Sequence, residues 1–232
     1  MKTTGLYPRV RVDAAGSGVV SQAGGLLLTN AVRASGLDAE LSRLLERWRK
    51  PLARHDPAKI VTDLAVALAL GGDCLADIAV LRAEPGLFGL VASDPTVSRM
   101  VDALAGDVEA VLKAISTARA AARARVWALA GRHAPDAGRD IDDPLIIDLD
   151  ATLVGAHSDK QGAAPTFKRG YGFHPLCAFV DHGPDGSGEP LAVSCGRGTP
   201  DRTPPPTTSP WSATPSNNSP GTGREPGPDV RS

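Results

Sequence analysis

The 232-residue chain is 42% hydrophobic and 22% charged, enough for one large domain or two small ones with a buried interior. A formal net charge of −1 removes any global electrostatic drive toward a polyanion, and the longest unbroken apolar run, Leu64–Leu70, falls far short of the roughly 20 residues of a membrane span. With no basic segment and apolar core after Met1, and three scattered cysteines, Cys74, Cys177 and Cys195, the chain reads as a cytoplasmic protein with no membrane partner and no disulfide framework.

Residues 1–36 carry turn signals, Ala15-Gly16-Ser17-Gly18 and Gly24-Gly25, and read as an irregular or partly stranded arm. From Leu37 the period becomes helical: Leu37, Leu41, Leu44, Leu45 and Trp48 recur at three- and four-residue spacing until Pro51. Asp56-Pro57 reads as an N-cap followed by proline at the first helical position, opening an apolar helix that Gly71-Gly72 stops. A further helix spans Leu75 to Ala83, Pro85-Gly86 opens a loop, and Ser93-Asp94-Pro95 caps a helix beginning at Thr96. The last and longest helix runs from about Val108 to Leu129, with Arg119 and Arg123 on one face. Lys113 to Arg132 holds five basic residues and no acidic one, and Arg43 to Lys59 is similarly rich. Such runs suit a phosphate backbone, and equally describe solvated helix faces.

After a polar break the period changes. Pro144 to Val154 is a strand-length apolar run, His174 to Val180 a second, and a glycine-rich turn leads to Pro190-Leu191-Ala192-Val193 as a third, the opening meander of an α/β domain. From Ser194 the remaining 39 residues hold nine prolines and no Leu, Ile, Met, Phe or Tyr, a composition too poor in apolar surface to offset its ordering entropy, so disorder is expected.

Asp148 and Asp150 sit at the end of the first apolar run, one residue apart, so both project to one side of a strand. Paired carboxylates invite a divalent cation or a shared proton; alternatively one caps a turn while the other faces water. Ile146-Ile147-Asp148-Leu149-Asp150-Ala151-Thr152 resembles the first motif of the haloacid dehalogenase-like phosphohydrolases, which would make Asp148 the nucleophile and Asp150 the acid/base, but no lysine follows Val193 to complete that chemistry.

A wider resemblance covers residues 9 to 193. Val19-Val20-Ser21-Gln22-Ala23-Gly24-Gly25, Gly71-Gly72-Asp73-Cys74-Leu75-Ala76-Asp77, Asp148 to Val154, Ala156-His157-Ser158, Gly162 to Arg169 and Gly172 to His182 together are similar to the DDE-type transposases of insertion-sequence family thirteen-eighty. That resemblance implies an α+β fold: a helical, helix-turn-helix-like DNA-binding region (37–140) behind an N-terminal arm (1–36), then the first strands of a ribonuclease H-like domain (141–193) and a disordered tail (194–232). It implies Asp150, with Asp148 the alternative, as the first of three acidic ligands to Mg²⁺ ions that cleave and transfer DNA strands. It also implies double-stranded DNA as partner, at element ends and target, and a second copy or intact transposase copies as protein partners on the nucleoid.

The resemblance further implies that the third strand is followed by L-R-P-G-N-A-G-S-N-T-A-A-D-H-I. Joining the last base of each codon from Ser194 to the first two of the next permits all fifteen of these residues in order, beginning with leucine across Ser194-Cys195 and ending with isoleucine across Thr208-Ser209. The tail therefore reads as out-of-frame translation, and the second aspartate and the glutamate of the family are expected to be missing, leaving an inactive fragment with an uncovered sheet edge. Such a fragment could still grip element ends as a repressor. Thr96, Ser98 and Arg99 resemble the start of a recognition helix, and Lys168 and Arg169 sit in a loop that faces DNA in the family; with Arg119 and Arg123 they are the candidate nucleic-acid contacts. His157, His174 and His182 with Cys177 follow no zinc-ligand spacing.

Overall fold

The structure, a computed structural model, describes residues 5–11, 13, 21–156, 160, 162–166, 169–183, 186 and 188–194. Val19, Val20, His157, Ser158, Lys168 and the segment from Cys195 onward lie outside these. The fold is mixed: helices come first, α1 (Gly25–Ala34), α2 (Leu37–Leu45), α3 (Pro57–Ala69), α4 (Ile78–Arg82), α5 (Pro85–Phe88), α6 (Asp94–Ala105) and α7 (Val108–Ala130). Among the described residues six strands follow, β1 (Ile147–Ala151), β2 (Val154–Gly155), β3 (Ala164–Pro165), β4 (Tyr171–Phe173), β5 (Leu176–Val180) and β6 (Glu189–Ser194). The described residues divide into two units, those within 5–152 together with 175–194, and those within 153–174.

In the first unit α3 is the hub, and its ends follow the sequence. Asp56 Oδ1 accepts from Ala58 N at 2.8 Å with Pro57 in the first turn, and Gly71 takes φ +100° just past the last turn, where a side chain would be strained. Ile60, Val66 and Ala67 pack with Ile78, Leu81, Phe88 and Val97 in one apolar cluster. Ala58 joins Leu41, Leu45, Ala114 and Ala118 in another. Ala114, Ala118 and Ala122, four residues apart along α7, are buried, and their small side chains let α2 and α7 approach closely.

Two segments depart from expectation. Gly25 to Ala34, read as part of an irregular arm, is a helix, and Pro85 to Phe88, read as loop, is one helical turn. One contact joins them: a Cβ on Gly25 would lie 2.7 Å from Cζ of Phe88, whose ring is fully buried. Gly25 thus acts as a packing surface, and the local preference of glycine for turns yields to tertiary fit.

The same core holds a charge. Asp63 is fully buried on α3, where its Oδ1 accepts from the Tyr7 hydroxyl at 2.8 Å and both oxygens accept from Lys59 Nζ at 2.5 Å. Lys59 Nζ also lies 4.3 Å from the centre of the Tyr7 ring. Burial pushes the Asp63 carboxyl up and the Lys59 amine down, each resisted by the other's charge; burial and then the Asp63 charge raise the Tyr7 phenol well above its ordinary range. Arg33 donates to the carbonyls of Tyr7 and Pro8 at 3.0 and 2.9 Å, so the stretch 5–11 is tied to α1 and α3 together.

The strands of the first unit form an antiparallel sheet of order β1-β5-β6, with Asp148 opposite Phe179, Asp150 opposite Cys177, and a register shift between Ala178 and Phe179 in the β5-β6 pair. Ala178 and Val180 are buried. The second unit carries its own small antiparallel sheet, β2-β4-β3, whose two- and three-residue strands are too short to leave a period in the sequence. Gly172 is required there, since a Cβ would meet Val154 O at 2.1 Å.

Two stability measurements test this packing. Asp63→Ala strands the buried Lys59 ammonium and is expected to cost about 3–5 kcal/mol in urea unfolding, against about 1–2 kcal/mol for Tyr7→Phe; equal costs would show that the charge pair is not the anchor. Gly25→Ala is expected to lose about 1–3 kcal/mol by overpacking against Phe88, outweighing the gain in helix propensity of about 1 kcal/mol. A rise in unfolding midpoint would contradict the contact.

Candidate functional site

Strand alternation sets the chemistry of β1. Asp148 and Asp150 share one face while Ile147, Leu149 and Ala151 occupy the other, and every residue of the strand is exposed. The Thr152 hydroxyl donates toward Asp150 Oδ2 at 3.4 Å, a long contact that leaves the carboxylate open. Neither aspartate enters an ion pair among the described residues. Two solvent-facing carboxylates with hard oxygen donors suit Mg²⁺, which keeps several waters and takes one or two protein carboxylates. The donor set therefore fits the expected metal, with Asp150 and Asp148 as the residues that would hold it.

The candidate nucleic-acid residues are distributed over the fold. Thr96, Ser98 and Arg99 lie in the first turns of α6, Ser98 and Arg99 exposed, with Arg99 donating to Thr96 Oγ1 at 3.1 Å. Arg82 holds this helix start, pairing with Asp94 at 2.5 Å and donating to Ala92 O at 3.2 Å. Between α4 and α6 lie residues 83–93 with α5 among them, a longer connection than the three- to four-residue turn of a simple helix-turn-helix. Arg169, in the second unit, is exposed with φ +62° and donates its N–H to Thr166 O. Lys168 lies outside the described residues.

Arg119 and Arg123 do share a face of α7, and that face meets β6. Arg119 donates to Pro190 O at 2.8 Å, while Arg123 donates to Glu189 Oε1 at 2.8 Å and to the carbonyls of Pro190 and Leu191. Glu189 Oε2 accepts from the Trp127 indole N–H at 3.0 Å and lies 3.2 Å from His182 Nε2. This hub leaves no mark in the sequence: Glu189 stands at a strand start after a glycine turn, and no local pattern pairs it with a helix more than sixty residues away. Partial burial opposes the Glu189 charge, yet the hydrogen bonds from Trp127, Arg123 and His182 outweigh it and hold the carboxyl below the usual glutamate range.

Other concave or ligand-like places carry different chemistry. A cavity of about 450 Å³ among α1, α2, α3 and α7 is apolar, lined by residues such as Leu28, Leu41, Val61 and Ile115, and neither aspartate reaches it. The cavity's apolar lining offers a phosphate or a metal ion no partner, whereas the exposed β1 face presents two carboxylates to solvent. Asp73, Cys74 and Asp77 lie close enough to share a metal ion. Asp77 Oδ2 already accepts from the backbone N–H groups of Asp73 and Cys74, which hold its carboxyl below the ordinary range and close the turn into α4. His182 and Cys177 belong to no such group among the described residues.

The sequence profile of the family described as Transposase DDE domain, group 1, matches residues 2–200. No curated protein and no solved structure matches the chain significantly.

The Glu189 hub predicts a pH dependence of definite sign. A carboxyl lowered by folding adds stability that is present above its unfolded value of roughly 4.3 and is lost as pH falls through the lower folded value. Glu189→Gln is therefore expected to destabilise the chain at neutral pH, and the gap to the unsubstituted chain is expected to shrink as pH falls from the unfolded value through the lower folded one. Urea midpoints measured across this range check it, and a gap that persists unchanged into acid would refute the assignment.

Proposed function

Because the chain belongs to the DDE-domain group 1 transposases, we propose that it is the DNA-engaging front part of an insertion-sequence transposase of family thirteen-eighty, with Asp150 as the first metal-binding carboxylate and Asp148 as the alternative. The observation that carries this reading is the placement of both carboxylates, side by side and solvent-facing, on the first strand of an antiparallel β1-β5-β6 sheet preceded by a helical region. That order is the one expected for the opening of a ribonuclease H-like domain. Asp150, with Asp148 as the alternative, would hold a divalent metal there, and in a complete site a pair of such ions would supply Lewis-acid activation of the attacking oxygen and stabilisation of the leaving one.

The chain's own residues divide the remaining work. Asp150 holds the metal-facing charge at a fixed height on the sheet, because its backbone is paired with Cys177 on β5. Thr96, Ser98 and Arg99 at the start of α6 meet duplex DNA, as do Lys168 and Arg169. Arg119 and Arg123 instead fasten the sheet to α7, since their guanidinium groups are engaged with β6. The segment from Ser194 is out-of-frame translation, supported by fifteen permitted codon overlaps, so the chain carries one leg of the acidic tripod.

Two assays test the proposal. Incubation of the purified chain with Mg²⁺ and terminal-inverted-repeat DNA is expected to give no cleavage, and robust cutting would overturn the incomplete site. In gel shifts the chain is expected to bind duplex with an affinity that falls steeply with salt, and Arg99→Ala to weaken it by about 1–3 kcal/mol. An Arg99→Ala protein that binds as tightly as the original would remove α6 from the interface.

A further inference from the structure

The loop between the turn Glu46–Trp48 and α3 has a tip that serves no packing purpose. Ala53 N donates to Lys50 O at 3.0 Å, with Pro51 and Leu52 in the two central positions and Leu52 at φ +61°, the arrangement of a type II turn. The third position of such a turn ordinarily holds glycine or asparagine, because a Cβ is strained there. Leu52 is also the most exposed large apolar side chain among the described residues, with a relative accessibility of 103%. The fold gains no burial from this leucine and bears a strained backbone to keep it.

The surroundings of that leucine are cationic. Arg47, Arg49, Lys50 and Arg54 lie between residues 47 and 55 with no acidic residue among them. Arg47 pairs with Asp107 and lies over the Trp48 ring, and Arg49 comes within 3.9 Å of Asp56. Lys50 and Arg54, two residues to either side of Leu52, are exposed and enter no ion pair among the described residues.

We propose that this loop is a duplex-DNA contact in which Lys50 and Arg54 meet phosphates and Leu52 wedges into the minor groove. Apolar side chains flanked by basic ones act in this way, partly unstacking a base step and bending the duplex so that more protein surface meets it. The inference rests on the chain's place in a DNA-acting family and adds a DNA-binding surface distinct from α6. A single leucine with two free cations is too small an apolar area to hold a membrane surface.

The test uses the full chain and a random-sequence duplex labelled with a donor and an acceptor dye at its ends. Lys50→Ala combined with Arg54→Ala is expected to reduce the slope of log affinity against log salt by about 2, close to one unit for each phosphate left without its cation. Leu52→Gly is expected to leave that slope unchanged, to weaken binding about 5- to 10-fold and to abolish the bend seen by energy transfer, while its thermal midpoint is equal or higher because glycine accepts the turn without strain. A lower midpoint for Leu52→Gly would show that the leucine serves the fold, and would overturn the inference. So would loop variants that bind and bend the duplex as the parent does; α6 and the family reading would then stand. Absence of any salt-sensitive duplex binding by the parent chain would end both. Binding to phosphatidylserine vesicles that disappears in Leu52→Gly, with duplex binding intact, would assign the loop to a membrane instead.

Discussion

A carboxylate that has given up all contact with water must be compensated where it sits, and Asp63 sets that requirement at the centre of the helical region. It lies on α3, the helix whose apolar faces enter both core clusters, so its partners are drawn from whatever packs against that helix. Lys59 supplies the opposing charge one turn earlier, and Tyr7 supplies a hydroxyl from 56 residues earlier in the chain. A buried pair of this kind adds little net stability over an apolar pair, but removing either member leaves an uncompensated charge. Its structural effect is therefore specificity: the stretch around Tyr7 docks where Asp63 is, and Arg33 fixes the position by binding the neighbouring carbonyls.

The sheet depends on the helices through a second polar hub. Arginine side chains from α7 reach the carbonyls of β6, an edge strand whose outer backbone groups would otherwise offer themselves to another chain. Glu189 draws Arg123, Trp127 and His182 into one network, and the mutual support of these bonds places the sheet beside α7. The opposite edge, β1, has no such cover among the described residues. Its apolar face exposes Ile147 and Leu149 while its polar face presents Asp148 and Asp150 to solvent. An uncovered apolar strand is an aggregation liability, and an uncovered pair of carboxylates is an open ligand set; one edge of the sheet carries both properties.

Charge runs in the sequence proved to be of two kinds. In α7 Arg119 and Arg123 turn to the sheet, where their guanidinium groups donate to backbone carbonyls of β6. In the loop before α3 the cations surround an exposed apolar tip, and two of them stay free of ion pairs among the described residues. Composition and spacing look alike in the two places, and only the carbonyls within reach distinguish a structural arginine from one that faces solvent.

Features that depend on neighbours in the chain were therefore legible from the residues alone. The cap at Asp56, the stop at Gly71, the shared face of Arg119 and Arg123 on α7, the apolar strands and the shared side of Asp148 and Asp150 each follow from a local hydrogen bond or a period of 3.6 or 2. Motif resemblance reached the transposase family by the same local text. What the sequence could not settle were contacts between distant segments: that Phe88 packs into the space of the missing Cβ of Gly25, that Tyr7 completes the shell of Asp63, and that Arg123 finds Glu189. Those outcomes were decided by close packing and by the cost of leaving a buried polar group unpaired, quantities that exist only once the chain has folded back on itself.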